Sequence, residues 1–295
     1  PTMTMSPHPV PRVPLADGTS IPQIGLGTLA VQPDRSSSDR NAEITGSVVA
    51  AALEVGYRHV DTAQSYGSER GVGLAVAGSG IPRESLYLTS KLANPHHEPS
   101  DVERSFDETL ARLGTDHLDL FLIHWPLPTV PGLDLVRTWR ALTALREDGR
   151  LRSAGVSNFQ PAHLDRIVAE TGQVPVVDQV ESHPYFVNPE VREACARHGI
   201  VLEAHSPLGH DRAPLADPVV AAVATEVGAT PAQVILRWHL QHGDVVIPKS
   251  SRPERMRENF DALDVALDAE QMARLDSMDR GPEGRVGPHP DTYAG

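Results

Sequence analysis

The sequence has 295 residues, of which 40% are hydrophobic and 22% are charged, and this balance excludes a disordered or fibrous chain. The net charge of −13 excludes broad binding to nucleic acids or to anionic membranes. The apolar runs, such as LDLFLIHW, fall well short of the roughly 20 residues that a membrane span needs. Residues 1–12 lack the features of a signal peptide, so we expect a flexible N-terminal arm on a cytoplasmic protein.

The single cysteine, Cys195, rules out an intrachain disulfide, as is typical of a reducing compartment. It lies in NPEVREACARHGI, a helical pattern in which cysteine usually acts as a small apolar residue. We therefore expect a packed thiol and not a nucleophile. The histidines show no spacing that predicts a metal site.

Strand-like runs alternate with helical patterns along the rest of the chain. The runs are IGLGT, RHVDT, LYLTSKL, LDLFLIHW, RSAGVSN, VVDQVES, IVLEAHS and DVVIPKS. Eight such units in about 250 residues predict a single (β/α)8 barrel domain over residues 13–295. An open dinucleotide-binding sheet would need a third glycine after the G-x-G of IGLGT. Extended residues around Asp17-Gly18 predict a hairpin that plugs the bottom of the barrel.

Polar residues stand at or just beyond the carboxyl ends of seven of these predicted strands. They are Asp61, Lys91, His124, Asn158, Gln179, His205 and Lys249. The active sites of (β/α)8 barrels lie at this end of the strands. The pattern therefore predicts one catalytic rim.

Three of these rim residues, Asp61, Lys91 and His124, together with Tyr66 on the following turn, predict acid catalysis at an oxygen atom. A free phenol has a pKa of about 10, and an ammonium about 4 Å away would favour the phenolate of Tyr66 by about 4 kcal/mol, or about three pK units. Lys91 would supply that charge, and Asp61 would keep Lys91 protonated. His124 would orient a carbonyl oxygen or help to move the proton. Such a set protonates an oxygen while another group attacks the carbon.

Six segments in chain order resemble the successive motifs of the aldo-keto reductase superfamily. They are GYRHVDTAQSYGSERGVG, LTSKL, LFLIHWP, GVSNF, VDQVE and IPKSSRPERMRENF. The resemblance is closest to the bacterial branch that includes the 2,5-diketo-gluconate reductases. It implies a (β/α)8 barrel that binds NADPH in an extended form. It also implies a catalytic tetrad with Tyr66 as the general acid, formed by Asp61, Tyr66, Lys91 and His124.

The resemblance further implies which residues hold the cofactor. Amide and hydroxyl groups suit the two edges of the nicotinamide carboxamide, and the implied set is Ser157, Asn158 and Gln179. A cationic segment suits the 2′-phosphate and favours NADPH over NADH, and the implied set is Lys249, Ser250 and Arg255. The other implied cofactor contacts are His205, Ser206, Leu208, Glu258 and Asn259.

Two positions depart from the family pattern. His205 stands where relatives usually carry a large aromatic residue that stacks on the nicotinamide, and an imidazole covers less area and titrates near pH 6.5. Leu29 replaces an aromatic residue of the substrate pocket, which predicts a roomier or differently shaped pocket with Trp125 as an apolar wall. In the tail, His289 and Tyr293 either border the substrate mouth or belong to a packed tail.

Each of these residues also has an ordinary structural alternative that the sequence leaves open. Asp61 and Ser157-Asn158 could cap helices, His124 could be a core histidine, and Lys249 could belong to a solvated charged run. Two other functions also stay open: a Schiff-base aldolase or isomerase that uses Lys91, and a non-catalytic NADPH-sensing subunit. We expect a monomer that acts on a small carbonyl substrate.

Overall fold

A ring of parallel strands organises the chain, whose computed structural model describes residues 10–36, 38–210 and 212–295. The N-terminal strands β1 (Arg12–Pro14) and β2 (Ser20–Pro22) form an antiparallel hairpin. Within the described residues, eight parallel strands follow: β3 (Leu26–Gly27), β4 (His59–Asp61), β5 (Tyr87–Leu92), β6 (Leu118–Ile123), β7 (Leu151–Ser157), β8 (Val177–Glu181), β9 (Val201–His205) and β10 (Val245–Val246). Each strand pairs with the next one in sequence.

The first and last barrel strands meet and close the ring. Ile24 pairs with Val246, and Gly27 pairs with Lys249, through isolated parallel bridges. A Cβ atom at Gly27 would lie 2.7 Å from the carbonyl oxygen of Ile247, so this close approach requires glycine. The predicted (β/α)8 barrel is confirmed.

Helices follow the strands and cover the outside of the barrel. They are α1 (Asp39–Val55), α2 (Glu69–Gly78), α3 (Pro99–Leu113), α4 (Leu135–Ala144), α5 (Pro161–Thr171), α6 (Pro189–His198), α7 (Pro218–Val227), α8 (Pro231–Gln241), α9 (Pro253–Phe260) and α10 (Ala269–Asp276). Many begin with proline, whose missing N–H is not needed in the first helical turn. Glycines in the left-handed conformation end several of them, as at Gly114 after α3.

The hairpin closes the amino-terminal end of the barrel, as predicted. Leu15 and Ile21 are buried in a cluster that contains Tyr87 at the start of β5 and Val177 at the start of β8. The turn is fixed to the barrel because the hydroxyl of Ser153 donates a hydrogen bond to a carboxylate oxygen of Asp17 at 2.8 Å. The opposite end of the barrel is left open for a site.

Some sequence expectations need qualification. Residues 1–9 of the predicted arm lie outside the described residues, Val10 packs against the core, and Arg12 already belongs to β1. Cys195 is buried in α6, and burial raises the pKa of its thiol, as expected of a packed residue.

The helices of the barrel are short relative to a bilayer span. No single described helix is long and apolar enough to cross a membrane. Together α7 and α8 meet the length and hydropathy test, but they are bent by 87° at their junction.

Candidate active site

A cavity of about 860 Å³ opens at the carboxyl ends of the barrel strands. The predicted residues that line it are Leu29, Asp61, Tyr66, His124, Trp125, Ser157, Asn158, Gln179, His205, Ser206, Leu208 and Lys249. A larger groove, of about 1120 Å³, lies on the outer surface between α1 and α2. None of the predicted site residues lines that groove, so the chemistry points to the smaller cavity at the rim.

Lys91 lies behind the cavity wall and is completely buried. Its Nζ donates hydrogen bonds to the two carboxylate oxygens of Asp61 at 2.6 and 2.7 Å, and to the carbonyl oxygen of Thr62 at 3.0 Å. Burial alone would lower the pKa of Lys91, but Asp61 and Tyr66 reverse the effect and raise it above its usual value. The site therefore holds a charged ammonium.

Tyr66 ends a short 3₁₀ turn, Gln64–Tyr66, that follows β4. The turn is held in place because the Gln32 side-chain amide donates a hydrogen bond to the carbonyl oxygen of Tyr66 at 2.6 Å. Lys91 Nζ lies 4.9 Å from the centroid of the Tyr66 ring. The structure thus brings the predicted phenol and ammonium together.

The pKa of Tyr66 differs from the sequence expectation. Burial raises it above its usual value, and the charge of Lys91 only partly offsets this rise. The expected net decrease of about three pK units was wrong. It neglected desolvation of the phenolate, which the sequence does not reveal. The phenol is therefore protonated at neutral pH, the form that a proton donor needs.

His124 completes the predicted four and packs edge-on against Tyr66, with 5.6 Å between the ring centroids. Burial is the main cause that lowers the pKa of His124 well below its usual value, and the nearby charge of Lys91 adds to the effect. The imidazole is therefore neutral at pH 7. A neutral imidazole can direct a carbonyl oxygen without adding a second cation beside Lys91.

Amide and hydroxyl groups form one connected network on the facing wall. The Asn158 amide donates to the carbonyl oxygen of His124 at 2.9 Å, and Ser157 donates to the carbonyl oxygen of Gln179 at 2.8 Å. Gln179 donates through Nε2 to Asp61 at 2.8 Å. Because Nε2 faces Asp61, the carbonyl end of the amide remains available on this wall.

His205 is part of this wall and does not titrate near pH 6.5. Its Nε2 lies 3.1 Å from Asn158 Oδ1, and its Nδ1 lies 3.3 Å from the hydroxyl oxygen of Ser206. Burial lowers the pKa of His205 to about 4, although Glu181 opposes the shift. The sequence expectation of an ordinary pKa was therefore wrong, and the ring is neutral over the physiological range.

Strained backbone positions are concentrated around the cavity. Six of the described residues have a positive φ although they are not glycine. Five of the six line the cavity: Ala30, Leu127, Asn158, Ser206 and Arg212. Such conformations cost free energy and persist where surrounding contacts hold them, often at functional sites. Their concentration here supports the location of the site.

The predicted phosphate-binding residues lie beside the cavity. Lys249 lines its wall, whereas Ser250, Arg255, Glu258 and Asn259 lie outside the wall, on the segment after β10 and on α9. Lys249 and Arg255 are exposed, and neither makes an ion pair with any described residue. Ser250 is buried, and its hydroxyl accepts a hydrogen bond from the N–H of Arg252 at 3.1 Å.

The C-terminal tail contributes another wall. The ring of Tyr293 packs on Trp125 with 4.2 Å between centroids, and both line the cavity. His289 does not line it, although the preceding Pro288 does. The tail is anchored by Glu181, whose carboxylate accepts hydrogen bonds from the N–H groups of Val286 and Gly287.

Several cavity residues were missed by the sequence analysis. Those with polar side chains are Arg35, Ser65, Asn94, His210 and Arg212. They lie on loops after β3, β4, β5 and β9, so the rule that barrel sites collect strand-following loops could have found them. Glu203, buried inside the barrel below the cavity, was also missed. The sequence feature that could have revealed it is a charged residue in the middle of the apolar run IVLEAHS.

Comparison with known proteins agrees with this geometry. The model of the aldo/keto reductase family matches residues 23–280. An aldo-keto reductase of Mycolicibacterium smegmatis is 46% identical over 96% of this chain and 98% of its own length. Morphine 6-dehydrogenase of Pseudomonas putida is 40% identical over 95% and 94%. The crystal structure of a Gox0644 mutant in complex with NADPH superimposes with a TM-score of 0.88, at 40% identity, over 97% of this chain and 99% of that one. The chain belongs to the aldo/keto reductase family.

Proposed function

We propose that this chain is an NADPH-dependent reductase of aldehydes and ketones in which Tyr66 is the general acid. The observation that carries the proposal is the ion pair of Lys91 with Asp61, held 4.9 Å from the centroid of the Tyr66 ring in the cavity wall. It places a fixed positive charge beside the phenol of Tyr66, which follows β4 and lines the cavity. Such a charge stabilises the phenolate that remains after proton donation.

The residues around the cavity fit NADPH. The carbonyl of Gln179 and the groups of Ser157 and Asn158 offer acceptors and donors for a carboxamide. The exposed Lys249 and Arg255, which lack carboxylate partners among the described residues, suit a 2′-phosphate. Support also comes from the similar Gox0644 mutant, which was crystallised with NADPH. The amide and hydroxyl groups lie on the cavity wall, and the cationic side chains of Lys249 and Arg255 lie at its edge and beside it. This separation suits a dinucleotide bound in an extended form.

The chain's own groups would then perform the acid step. NADPH, when bound, supplies the hydride that reduces the carbonyl carbon. His124, as a neutral imidazole, holds the carbonyl oxygen near Tyr66. The Tyr66 hydroxyl gives its proton to that oxygen as negative charge develops on it. Lys91 stabilises the phenolate left behind, and Asp61 keeps Lys91 charged. The same groups in reverse order would serve alcohol oxidation.

A Tyr66→Phe variant tests the proposal. NADPH oxidation would be followed by absorbance with a panel of small aldehydes and ketones, and NADPH binding would be measured separately by fluorescence. We expect kcat to fall by about 10²- to 10⁴-fold, the usual contribution of a general acid, while the Kd for NADPH is retained. Tyr87→Phe is the matched control, because Tyr87 is a buried tyrosine at the opposite end of the barrel. Equal turnover by wild type and Tyr66→Phe would remove Tyr66 from the mechanism.

The two other functions make different demands on the same residues. A Schiff-base enzyme needs a neutral lysine, and Asp61 raises the pKa of Lys91 instead. Borohydride trapping of a carbonyl substrate on Lys91 would support that enzyme. An NADPH-sensing subunit would bind NADPH and show no turnover with any member of the panel.

Other predictions from the sequence have not been tested. The predicted monomer would be checked by light scattering coupled to gel filtration. The similarity to 2,5-diketo-gluconate reductases also remains a prediction, and so does the predicted location in the cytoplasm.

One relative is named morphine 6-dehydrogenase, and the name indicates that this relative oxidises morphine. We therefore propose that the substrate panel include bulky cyclic ketones alongside small aldehydes.

A further inference from the structure

A second carboxyl group lies buried beneath the Asp61–Lys91 pair. Glu203, in the middle of β9, is completely buried. Nε2 of Gln179 donates one hydrogen bond to Glu203 Oε2 at 3.1 Å and another to Asp61 Oδ2 at 2.8 Å. The two hydrogens of this amide therefore connect the two carboxyl groups. The role of Gln179 at the cavity depends on both of them.

The surroundings of Glu203 provide little compensation for a negative charge. Its Oε1 has no hydrogen-bond partner among the described residues. The ionisable groups that face it are His59 and Asp61 on β4 and Lys91 and Tyr87 on β5, while β10 offers only valines. The basic nitrogen Nε2 of His59 lies 3.7 Å from Glu203 Oε1.

His59 cannot supply a positive charge at neutral pH. Burial lowers its pKa to about 3, and its Nε2 lies 3.1 Å from the hydroxyl oxygen of Thr89. A Cβ atom at Gly25 would lie 2.6 Å from His59 Nδ1, so the neutral ring fills the space that this glycine leaves. The one ammonium in the region is Lys91, and Asp61 already binds it with both oxygens.

Glu203 therefore keeps its proton at neutral pH. Burial raises the pKa of its carboxyl to about 8, and the charge of Asp61 adds to the rise. A protonated Glu203 still accepts the hydrogen bond from Gln179 through its carbonyl oxygen. An ionised Glu203 would place a second negative charge next to Asp61.

We propose that Glu203, in its protonated form, is a positioning residue that fixes the amide of Gln179. Because this form carries no charge, Lys91 interacts electrostatically with Asp61 and Tyr66 and not with a second carboxylate. The proposal rests on the proposed reductase function. Holding Nε2 of Gln179 toward the two carboxyl groups turns its carbonyl oxygen toward the cavity. Ionisation of Glu203 would weaken the acidity of Tyr66 and oppose the negative charge that develops on the substrate oxygen.

The proposal predicts how the pH profile of reduction changes with residue 203. We expect wild-type kcat to fall above about pH 8, as Glu203 ionises. In Glu203→Gln, which keeps the acceptor and cannot ionise, this decrease should disappear while kcat at pH 7 stays within about twofold. Asp178→Asn is the matched control, since Asp178 is also a buried carboxyl with a raised pKa but hydrogen-bonds to the N–H of Phe159. Asp178→Asn should show the same decrease in kcat above about pH 8 as the wild type.

A second variant and a second measurement separate this proposal from a structural role and from the reductase function itself. Glu203→Leu removes the acceptor for Gln179 and should raise the KM for NADPH by about tenfold, with a smaller effect on kcat. Infrared difference spectra of wild type minus Glu203→Gln, without cofactor, should show a protonated carboxyl band that vanishes near pH 8. Identical pH profiles for wild type and Glu203→Gln, or no such band at pH 7, would overturn the proposal. Absence of turnover in wild type with the band present would contradict only the reductase function.

Discussion

Both carboxylate oxygens of Asp61 accept hydrogen bonds from Lys91 Nζ, at 2.6 and 2.7 Å, inside a barrel where both side chains are buried. Because β4 and β5 are adjacent and parallel, their carboxyl ends bring these two residues side by side. Buried ion pairs are weak sources of net stability, but removing one partner leaves an uncompensated charge. The pair is therefore a vulnerable point for folding and, under the proposed function, for catalysis.

Replacing Asp61 by asparagine should harm both properties. The buried ammonium of Lys91 loses its counter-charge, so we expect the free energy of unfolding to fall by about 3–5 kcal/mol and the pKa of Lys91 to fall. Urea unfolding and kcat would measure the two effects. Asp39→Asn is the control, because Asp39 pairs with Arg70 on the exposed surface. Asp61→Asn with wild-type stability would mean that Lys91 is neutral in the folded protein.

Replacing Arg255 by alanine should weaken binding of NADPH and spare NADH. A charge-assisted hydrogen bond to the 2′-phosphate would be lost, which corresponds to an increase of about 10- to 100-fold in the Kd for NADPH. Fluorescence titrations with the two cofactors would measure the difference. Arg257→Ala, on the same helix but 4.0 Å from Asp261, is the control. Equal weakening of NADPH and NADH would show that Arg255 does not read the phosphate.

Acid should destabilise the fold because several buried histidines are neutral in the folded protein. Burial is the main cause that lowers the pKa of His59 to about 3 and the pKa of both His97 and His205 to about 4. Below pH 6.5 the unfolded chain binds protons at these histidines and the folded chain does not, so stability decreases as the pH falls toward 4. Above pH 6.5 these histidines are neutral in both states and contribute no slope.

Urea unfolding at pH 7, 5.5 and 4.5 would test this decrease. His97→Gln offers the sharpest comparison, because both ring nitrogens of His97 are buried without partners among the described residues. The variant should show a shallower loss of stability between pH 6.5 and 4 than wild type. Parallel curves for the two proteins would contradict the assignment of His97 as a buried neutral group.

Replacing Glu181 by alanine should release the C-terminal tail from the barrel. Its carboxylate accepts hydrogen bonds from Val286 at 2.7 Å and Gly287 at 2.8 Å. Faster hydrogen exchange of these two amides and a raised KM for bulky substrates are expected, since the wall that Tyr293 forms on Trp125 would loosen. Glu283→Ala, an exposed change in the same tail, should leave both properties unaltered. Unchanged exchange in Glu181→Ala would show that the tail is held by other contacts.

The anchoring carboxylate also gives the tail a dependence on pH. Burial tends to raise the pKa of Glu181, but hydrogen bonds from His183 and the tail amides outweigh it and lower the pKa to about 2. The stabilisation is therefore present above the pKa of an unfolded glutamate, about 4.3, and is lost as the pH falls toward 2. The protection of the Val286 amide against exchange, relative to its intrinsic rate at each pH, should decrease over that range in wild type. In Glu181→Ala this protection should already be low at neutral pH.

Strand periodicity and strand ends carried most of the information about the architecture. Each parallel strand of a barrel ends on the same rim, so a polar residue that closes an apolar run, such as Lys91 or His124, is placed by its position in sequence alone. The hairpin at Asp17-Gly18 is equally local, because turn chemistry decides it. The site residues on these strand ends were predictable for that reason.

Energies inside the site were not predictable in the same way. The sign of the pKa shift at Tyr66 depends on how much water the fold removes from the phenol, and that is a sum over residues distant in sequence. Glu203 looks like an ordinary charge in IVLEAHS until the barrel closes and places it beneath Asp61 and Gln179. The contact of Tyr293 with Trp125 likewise joins the tail to a loop after β6.

By itself, the sequence determined the barrel, its open rim and the identity of the groups on that rim, because local periodicity and turn chemistry set where each strand begins and ends. Only the tertiary structure decided which of those groups are charged. Protonation depends on burial and on charges brought close across the barrel, and neither quantity exists until the ring of strands has closed.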